Sequence, residues 1–438
     1  MKPLQVGLIG FGTVGRGTWD VLRRNEEEIT RRAGRPIRIT WVGTRRIEHA
    51  KQGARGITGV QFTDDPGLVV RHPDVDIVCE LIGGIEPARS LILDAIAHGK
   101  HVVTANKALL AEHGNEIFAA AHKQGVMVAF EGAVAGGVPI IKALREGLTA
   151  NRIEWIAGII NGTSNFILST MRETGASFDT VLKEAQARGY AEADPSFDVD
   201  GIDAAHKLTI MSAIAFGVPM QFDKAYAEGI ATLTREDLRY AEQLGYRIKL
   251  LGITRRARNG IELRVHPTLI PARRLIANVE GAMNAVLVKG DAVGATLYYG
   301  AGAGAEPTAS AVIADLVDVT RMHTADPEHR VPHLAFQPDQ LTDVPFLPIG
   351  DVETSYYLRM RVRDRPGVLA DITRILADRE ISIDAMIQKE PTEGEDQTDI
   401  ILLTHKSIEH RVVDAIGRIE SLPTVRGAVV RIRLEDLG

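Results

Sequence analysis

Cysteine is almost absent: Cys79 is the single one in 438 residues. That excludes an internal disulfide framework and a cysteine-rich zinc site. It sits in the apolar run DIVCELIG, which reads as a buried structural thiol rather than a nucleophile. Positive charge is also short, with 51 Lys and Arg against 57 Asp and Glu and a formal net charge of −6. Such a balance lacks the electrostatic footprint of a nucleic-acid binder. No uninterrupted apolar run reaches the roughly 18 residues that a membrane span needs. The N-terminal MKPLQVGLIGFG runs straight into a strand-and-turn pattern, without a basic region ahead of a long apolar core, so no signal peptide is expected. The expectation is a soluble, cytoplasmic protein with neither nucleic acid nor membrane as partner.

What the chain does contain is an ordinary globular balance, 45% hydrophobic and 25% charged, over a length that predicts roughly two to four domains. Through residue 130, the apolar runs LQVGLIG, IRITWVG, VDIVCELIG, HVVTAN and VMVAFEG alternate with amphipathic stretches such as PARSLILDAIAHG and KALLAEHGNEIFAAAHKQG. That alternation predicts βαβ units and an α/β, Rossmann-type doubly wound sheet over 1–130. Residues 131–300 change to an α+β texture: GVPIIKALREGL and SFDTVLKEAQARG read as helices, RIEWIAGII, YRIKLLGITRRA and IELRVHPTLI as strands. Five prolines (Pro327, Pro332, Pro338, Pro345, Pro348) mark 322–353 as a linker. From 354 to 438 the pattern is βαββαβ, a compact ferredoxin-like unit.

The sequence GFGTVG places Gly10, Gly12 and Gly15, with Thr13 and Val14 between them, directly after a strand and before a helix. The glycines permit a tight turn, backbone approach to a pyrophosphate and close helix–strand packing, and the helix N-terminus supplies N–H donors. In this βαβ context the motif predicts dinucleotide binding. At the end of the second strand, WVGTRR offers Arg45 and Arg46 where an NAD site usually offers an acid. Two guanidiniums suit a 2′-phosphate, so NADP is favoured and NAD stays possible; the alternative is a solvated basic loop.

The stretch AEADPSFDVDGIDAAHK is dense in carboxylates. As a calcium loop it fails, because Lys207 would occupy the twelfth position, which needs a bidentate acid. Asp203 and Lys207 are four apart in a helical pattern and share one face. Such a pair is usually a surface salt bridge. Here Glu192, after a Gly189-Tyr190 turn, could add a second carboxylate; two acids would bind an ammonium while a lysine protonates a carbonyl oxygen. His206 and His266 have no partner at ligand spacing and read as structural.

Taken in order, GFGTVGRG, VVTANKALL, EGAVAGGVPI, NGTSNFIL, RGYAEADPSFDVDGIDAAHKL and GAGAGAEPTASAV resemble the homoserine dehydrogenases over residues 5–320. The resemblance implies reversible NADPH-dependent reduction of L-aspartate 4-semialdehyde to L-homoserine, in the pathway to threonine, methionine and isoleucine. It places Lys207 as catalytic proton donor and Lys107 as a second active-site lysine. Glu192 and Asp203 hold the substrate amino group, and Thr104, Lys107 and Gly189 contact the cofactor. EGAVAGGVPI resembles the family's sodium loop, with Glu131 and the carbonyls of Val134, Gly136 and Val138 as ligands; by itself it reads as a glycine-rich turn. Gly302 and Gly304 precede a helix in a segment, near 300–321, that would return to the cofactor domain. On this reading 131–300 is the catalytic and dimerisation domain, in a homodimer or homotetramer.

The C-terminal module resembles an ACT domain through DRPGVLA. Asp364, Pro366, Gly367, Val368 and Leu369 would form the effector loop, whose N–H groups accept an amino-acid carboxylate. L-threonine is the implied effector; the alternative is a module that only dimerises. The acidic EPTEGED, 390–396, reads as a solvated turn. No kinase-like segment precedes the first strand, so the monofunctional form is expected. Two other readings are a non-catalytic sensor, which would not need Glu192, Asp203, Lys107 and Lys207 together, and an ACT-tailed 2-hydroxy-acid dehydrogenase, which would want an Arg/His/Glu set.

Overall fold

The computed structural model describes residues 2–54, 58–389 and 396–438; all of EPTEGED except Asp396 lies outside the described residues. Six parallel strands open the chain: β1 (Leu4–Ile9), β2 (Ile37–Gly43), β3 (Gln61–Thr63), β4 (Ile77–Glu80), β5 (His101–Thr104) and β6 (Val128–Ala129). Their order, β3-β2-β1-β4-β5-β6, reverses beside β1, which creates the crevice where doubly wound sheets bind ligands. β4 and β5 are buried at every position, as expected of parallel strands covered on both faces. The sequence pattern had missed β3, whose three residues are too few to show periodicity.

Beyond this sheet come β7 (Ile153–Ile159), β8 (Tyr226–Ala227), β9 (Tyr246–Ala257), β10 (Gly260–Pro271), β11 (Met283–Gly290) and β12 (Gly294–Ala301). The C-terminal region adds β13 (Glu353–Arg363), β14 (Ile383–Gln388), β15 (Gln397–Thr404), β16 (Ser407–Ile408) and β17 (Val425–Leu434), with helices Val368–Ala377 and Glu409–Glu420. Two compact units emerge: Met1–Gly162, Asp203–Ala225 and Ala282–Val344 form one, and Thr163–Ile202, Tyr226–Gly281 and Pro345–Gly438 the other.

In the first unit, the parallel sheet is accompanied by an antiparallel set in the order β12-β11-β7. The helix Ala305–Met322 comes back along the chain into the core of the parallel sheet. Its Ala309, Val312, Ile313 and Leu316 are buried with Leu4, Val6, Leu8 and Trp19. Cys79 is in the same core and fully buried, and burial pushes its thiol well above the ordinary value. The second unit has the order β9-β10-β17-β13-β15-β14, with the βαββαβ arrangement built on β13 to β17. Tyr356, Leu358, Ile372, Leu402 and Val412 centre its C-terminal core.

The two tempting histidines are held structurally. His266 is fully buried, with Nε2 2.7 Å from Arg264 Nη1 and Nδ1 2.9 Å from Thr268 Oγ1. His206 packs its ring against Phe222, 4.1 Å between centroids, and lies 3.5 Å from Glu112. Among the described residues no helix is long and apolar enough to cross a membrane.

Candidate active site

The turn after β1 opens into a cavity of about 870 Å³ in the first unit. Gly10, Gly12, Thr13, Arg45 and Arg46 line it, together with Arg16, His49 and Thr44. Gly10 has φ +96° and a Cβ there would lie 2.8 Å from Leu81 O, while a Cβ on Gly15 would meet Gly10 O at 2.1 Å. Space around Gly12 is open, so the turn leaves a cradle that a side chain would fill. The helix Thr13–Arg24 starts at this cradle with no acid in its first turn, which leaves its positive end available to an anion. These features fit a dinucleotide cofactor. Arg16 was missed by sequence reasoning although it follows the last glycine directly; a basic residue in that first helical turn was the available signal.

Val14, Gly15, Thr104, Lys107, Gly302 and Gly304 belong to the same unit but not to the cavity wall. Gly302 meets a different neighbour: a Cβ at Gly136 would sit 2.6 Å from its carbonyl oxygen. Gly304 caps the helix Ala305–Met322.

A second cluster forms around Asp203, on the helix Ile202–Phe216. Lys207 Nζ donates to Asp203 Oδ2 at 2.7 Å and to the Ile160 carbonyl at 2.7 Å. Asn161 Nδ2 donates to the same Oδ2 at 2.9 Å, and Lys107 Nζ lies 3.2 Å from Oδ1. Burial alone would raise the Asp203 carboxyl, but the two ammonium groups outweigh it and hold the value at about 2. Lys107 is aimed by its place as first residue of the helix Lys107–Gln124, whose N-cap Asn106 accepts from Leu109 N. Spacing alone could pair Asp203 with Lys207; Asn161 opens the NGTSNFIL stretch, but no role was assigned to it by the sequence.

Family models account for most of the chain: homoserine dehydrogenase, NAD binding domain, over residues 10–131, homoserine dehydrogenase over 139–317 and ACT domain over 356–424. A homoserine dehydrogenase of Pseudomonas aeruginosa is 62% identical over the full length of both chains, and one of Neisseria gonorrhoeae 58%. The crystal structure of a homoserine dehydrogenase from Thiobacillus denitrificans superposes with a TM-score of 0.96 at 72% identity, covering 100% of this chain and 99% of that one. The chain belongs to the homoserine dehydrogenase family. It is accordingly an NAD(P)-dependent oxidoreductase with a C-terminal ACT domain.

Other residues singled out in the sequence as homoserine dehydrogenase features lie in the second unit. Gly189, φ +75°, turns the chain after the helix Phe178–Ala187, and Glu192 is exposed beyond it. Asp194 accepts from both the N–H and the hydroxyl of Ser196, which lowers its carboxyl from the ordinary value. Asp198 is tied to the helix Gly162–Thr174 by Thr163 and Ser164. Asp364 to Gly367 are exposed, and Gly367, φ +93°, caps the helix Val368–Ala377.

The homoserine dehydrogenase loop 131–138, in the first unit, is buried apart from Gly137. Ala135 and Gly136 are both left-handed, φ +54° and +44°, an arrangement that turns successive carbonyls. The Glu131 carboxylate accepts from Ile141 N at 2.9 Å and Lys142 N at 2.7 Å, yet burial pushes it up to about 7. The Glu131 side chain is thus already engaged by two backbone N–H groups.

Proposed function

We propose that the protein catalyses reversible hydride transfer between L-homoserine and L-aspartate 4-semialdehyde, with NADP preferred over NAD. The observation that carries this reading is the buried Asp203–Lys207 pair with half-buried Lys107 beside it, in a chain with a dinucleotide cavity. When bound, the nicotinamide supplies or accepts the hydride. An ammonium has three donors; Lys207 spends two on Asp203 and Ile160 and can give the third to the substrate oxygen, with proton transfer as the alkoxide forms. Asp203 keeps Lys207 oriented and, with Glu192, holds the substrate amino group. Lys107 lies beside substrate and cofactor. Arg45 and Arg46 hold the 2′-phosphate. Thr104, Gly189, Gly302 and Gly304 complete the cofactor contacts.

The functional division is 1–130 with the segment near 300–321 for the cofactor, 131–300 for catalysis and dimerisation, 322–353 as linker and 354–438 for regulation. L-Threonine binds at 364–369 and inhibits. A structural monovalent cation sits in the 131–138 loop, held by Glu131, Val134, Gly136 and Val138. Steady-state rates with L-homoserine and either NADP or NAD, each with and without L-threonine, test the whole reading. Absence of homoserine oxidation with both cofactors would overturn it; equal kcat/KM for the two would remove the NADP preference.

A further inference from the structure

Glu80 ends β4 and is wholly buried, yet it is neither a cavity-lining residue nor a member of the Asp203 cluster. Both of its oxygens are engaged. Oε1 accepts from Ile82 N at 2.9 Å and Gly83 N at 3.2 Å, and Oε2 accepts from the Thr104 hydroxyl at 2.7 Å. Thr104 Oγ1 in turn accepts from Asn106 N at 3.1 Å, and Asn106 Nδ2 donates to Gly84 O at 2.7 Å. A closed ring of hydrogen bonds therefore joins the turn after β4 to the turn after β5.

Both turns matter to the reaction. Leu81, Ile82 and Gly83 form one wall of the cavity, and Leu81 O abuts Gly10 of the glycine turn. Gly83 and Gly84 are both left-handed, φ +72° and +75°, a conformation that needs external ties because glycine gives it little intrinsic rigidity. On the other side, Asn106 caps the helix whose first residue is Lys107.

We propose that Glu80 is a positioning residue for the cofactor pocket: its carboxylate fixes the 82–84 turn against Gly10 and, through Thr104 and Asn106, ties that turn to the one after β5. The inference rests on the cavity being the nicotinamide cofactor site. Removing this buried carboxylate takes from the Ile82 and Gly83 N–H groups their shared acceptor and leaves the fully buried Thr104 hydroxyl without its own, which frees the turn.

The test is NADPH binding by fluorescence titration, alongside the KM for L-homoserine at saturating cofactor. Glu80→Ala, folded by circular dichroism, is expected to raise the NADPH Kd about tenfold or more while moving the homoserine KM less than about twofold. Glu80→Gln keeps one oxygen for the two N–H groups and should recover most of the loss. An unchanged NADPH Kd in folded Glu80→Ala overturns the proposal, as does an equal loss in both parameters, the mark of general destabilisation. Should Glu80→Ala not fold, Glu80→Gln decides: an NADPH Kd raised about threefold with unchanged homoserine KM supports the role, and an unchanged Kd refutes it. Gly12→Trp separates the two assumptions, since it fills the cradle directly. If it leaves NADPH binding intact, the cavity assignment fails and the inference with it; if it blocks binding while Glu80→Ala does not, only the inference fails.

Discussion

Lys207 Nζ and Asp203 Oδ2 lie 2.7 Å apart, one turn from each other on a helix whose residues from Asp203 to Phe216 are all buried. An exposed pair at this spacing contributes a few tenths of a kcal/mol. In this buried position the pair is costly to keep, and removing Asp203 would leave the Lys207 ammonium without its carboxylate.

Lys207→Ala should therefore lose turnover and keep the cofactor. The expected fall in kcat is about 100-fold or more, with the NADPH Kd within about threefold of the original. Stopped-flow rates and fluorescence titration separate the two. Normal turnover would remove the proton-transfer role.

Replacing Arg45 and Arg46 together by Ala should raise the KM for NADP about tenfold more than that for NAD, since only the former carries a 2′-phosphate. Both side chains line the cavity. Equal changes would mean that the arginines serve the surface and not the phosphate.

The Asp203 carboxyl is held at about 2, below its ordinary 3.8. A depressed carboxyl stabilises the fold fully above the unfolded value, and that stabilisation fades as pH falls from near 4 towards 2. Its size is roughly 2 kcal/mol. Thermal midpoints recorded over that range should fall less steeply in Asp203→Asn than in the original protein. Parallel slopes would refute the assignment.

Arg433, on β17, is fully buried between Glu409, at 2.6 and 2.9 Å, and Glu228, at 2.9 Å. Arg433→Met leaves these carboxylates to Arg431, 2.8 Å from Glu409 and 3.4 Å from Glu228, and should cost about 3 kcal/mol, seen as a lowered thermal midpoint. For the same reason, deletion of 354–438 is a poor test of regulation: it would also strip Glu435 from buried Arg264, 2.5 Å away, and β17 from β10.

A point change in the effector loop is cleaner. Gly367→Val places a β-branched residue at φ +93° and should raise the threonine concentration for half-inhibition about tenfold. Inhibition at the original concentration would put the effector elsewhere.

Much of this is legible in the sequence. The strand–GFGTVG–helix unit is local, with its periodicity and glycine spacing inside about fifteen residues. Asp203 and Lys207 share a helix face by their separation alone. The three residues of β3, in contrast, carry no period, and Arg16 lies one position beyond the glycine motif that marks the turn.

Residue order along the chain determined the elements, the cofactor turn and the resemblance to a family, because those depend on neighbours a few positions away. Only the tertiary structure decided what the charges do. Lys107 reaches Asp203 across 96 positions of chain (203 − 107), Glu80 becomes a buried anchor for two turns, and Arg433 closes on Glu228 and Glu409. In each case the physical reason is burial. A carboxylate or guanidinium reads the same in a sequence whether it faces water or is sealed among its partners, and the fold alone sets which.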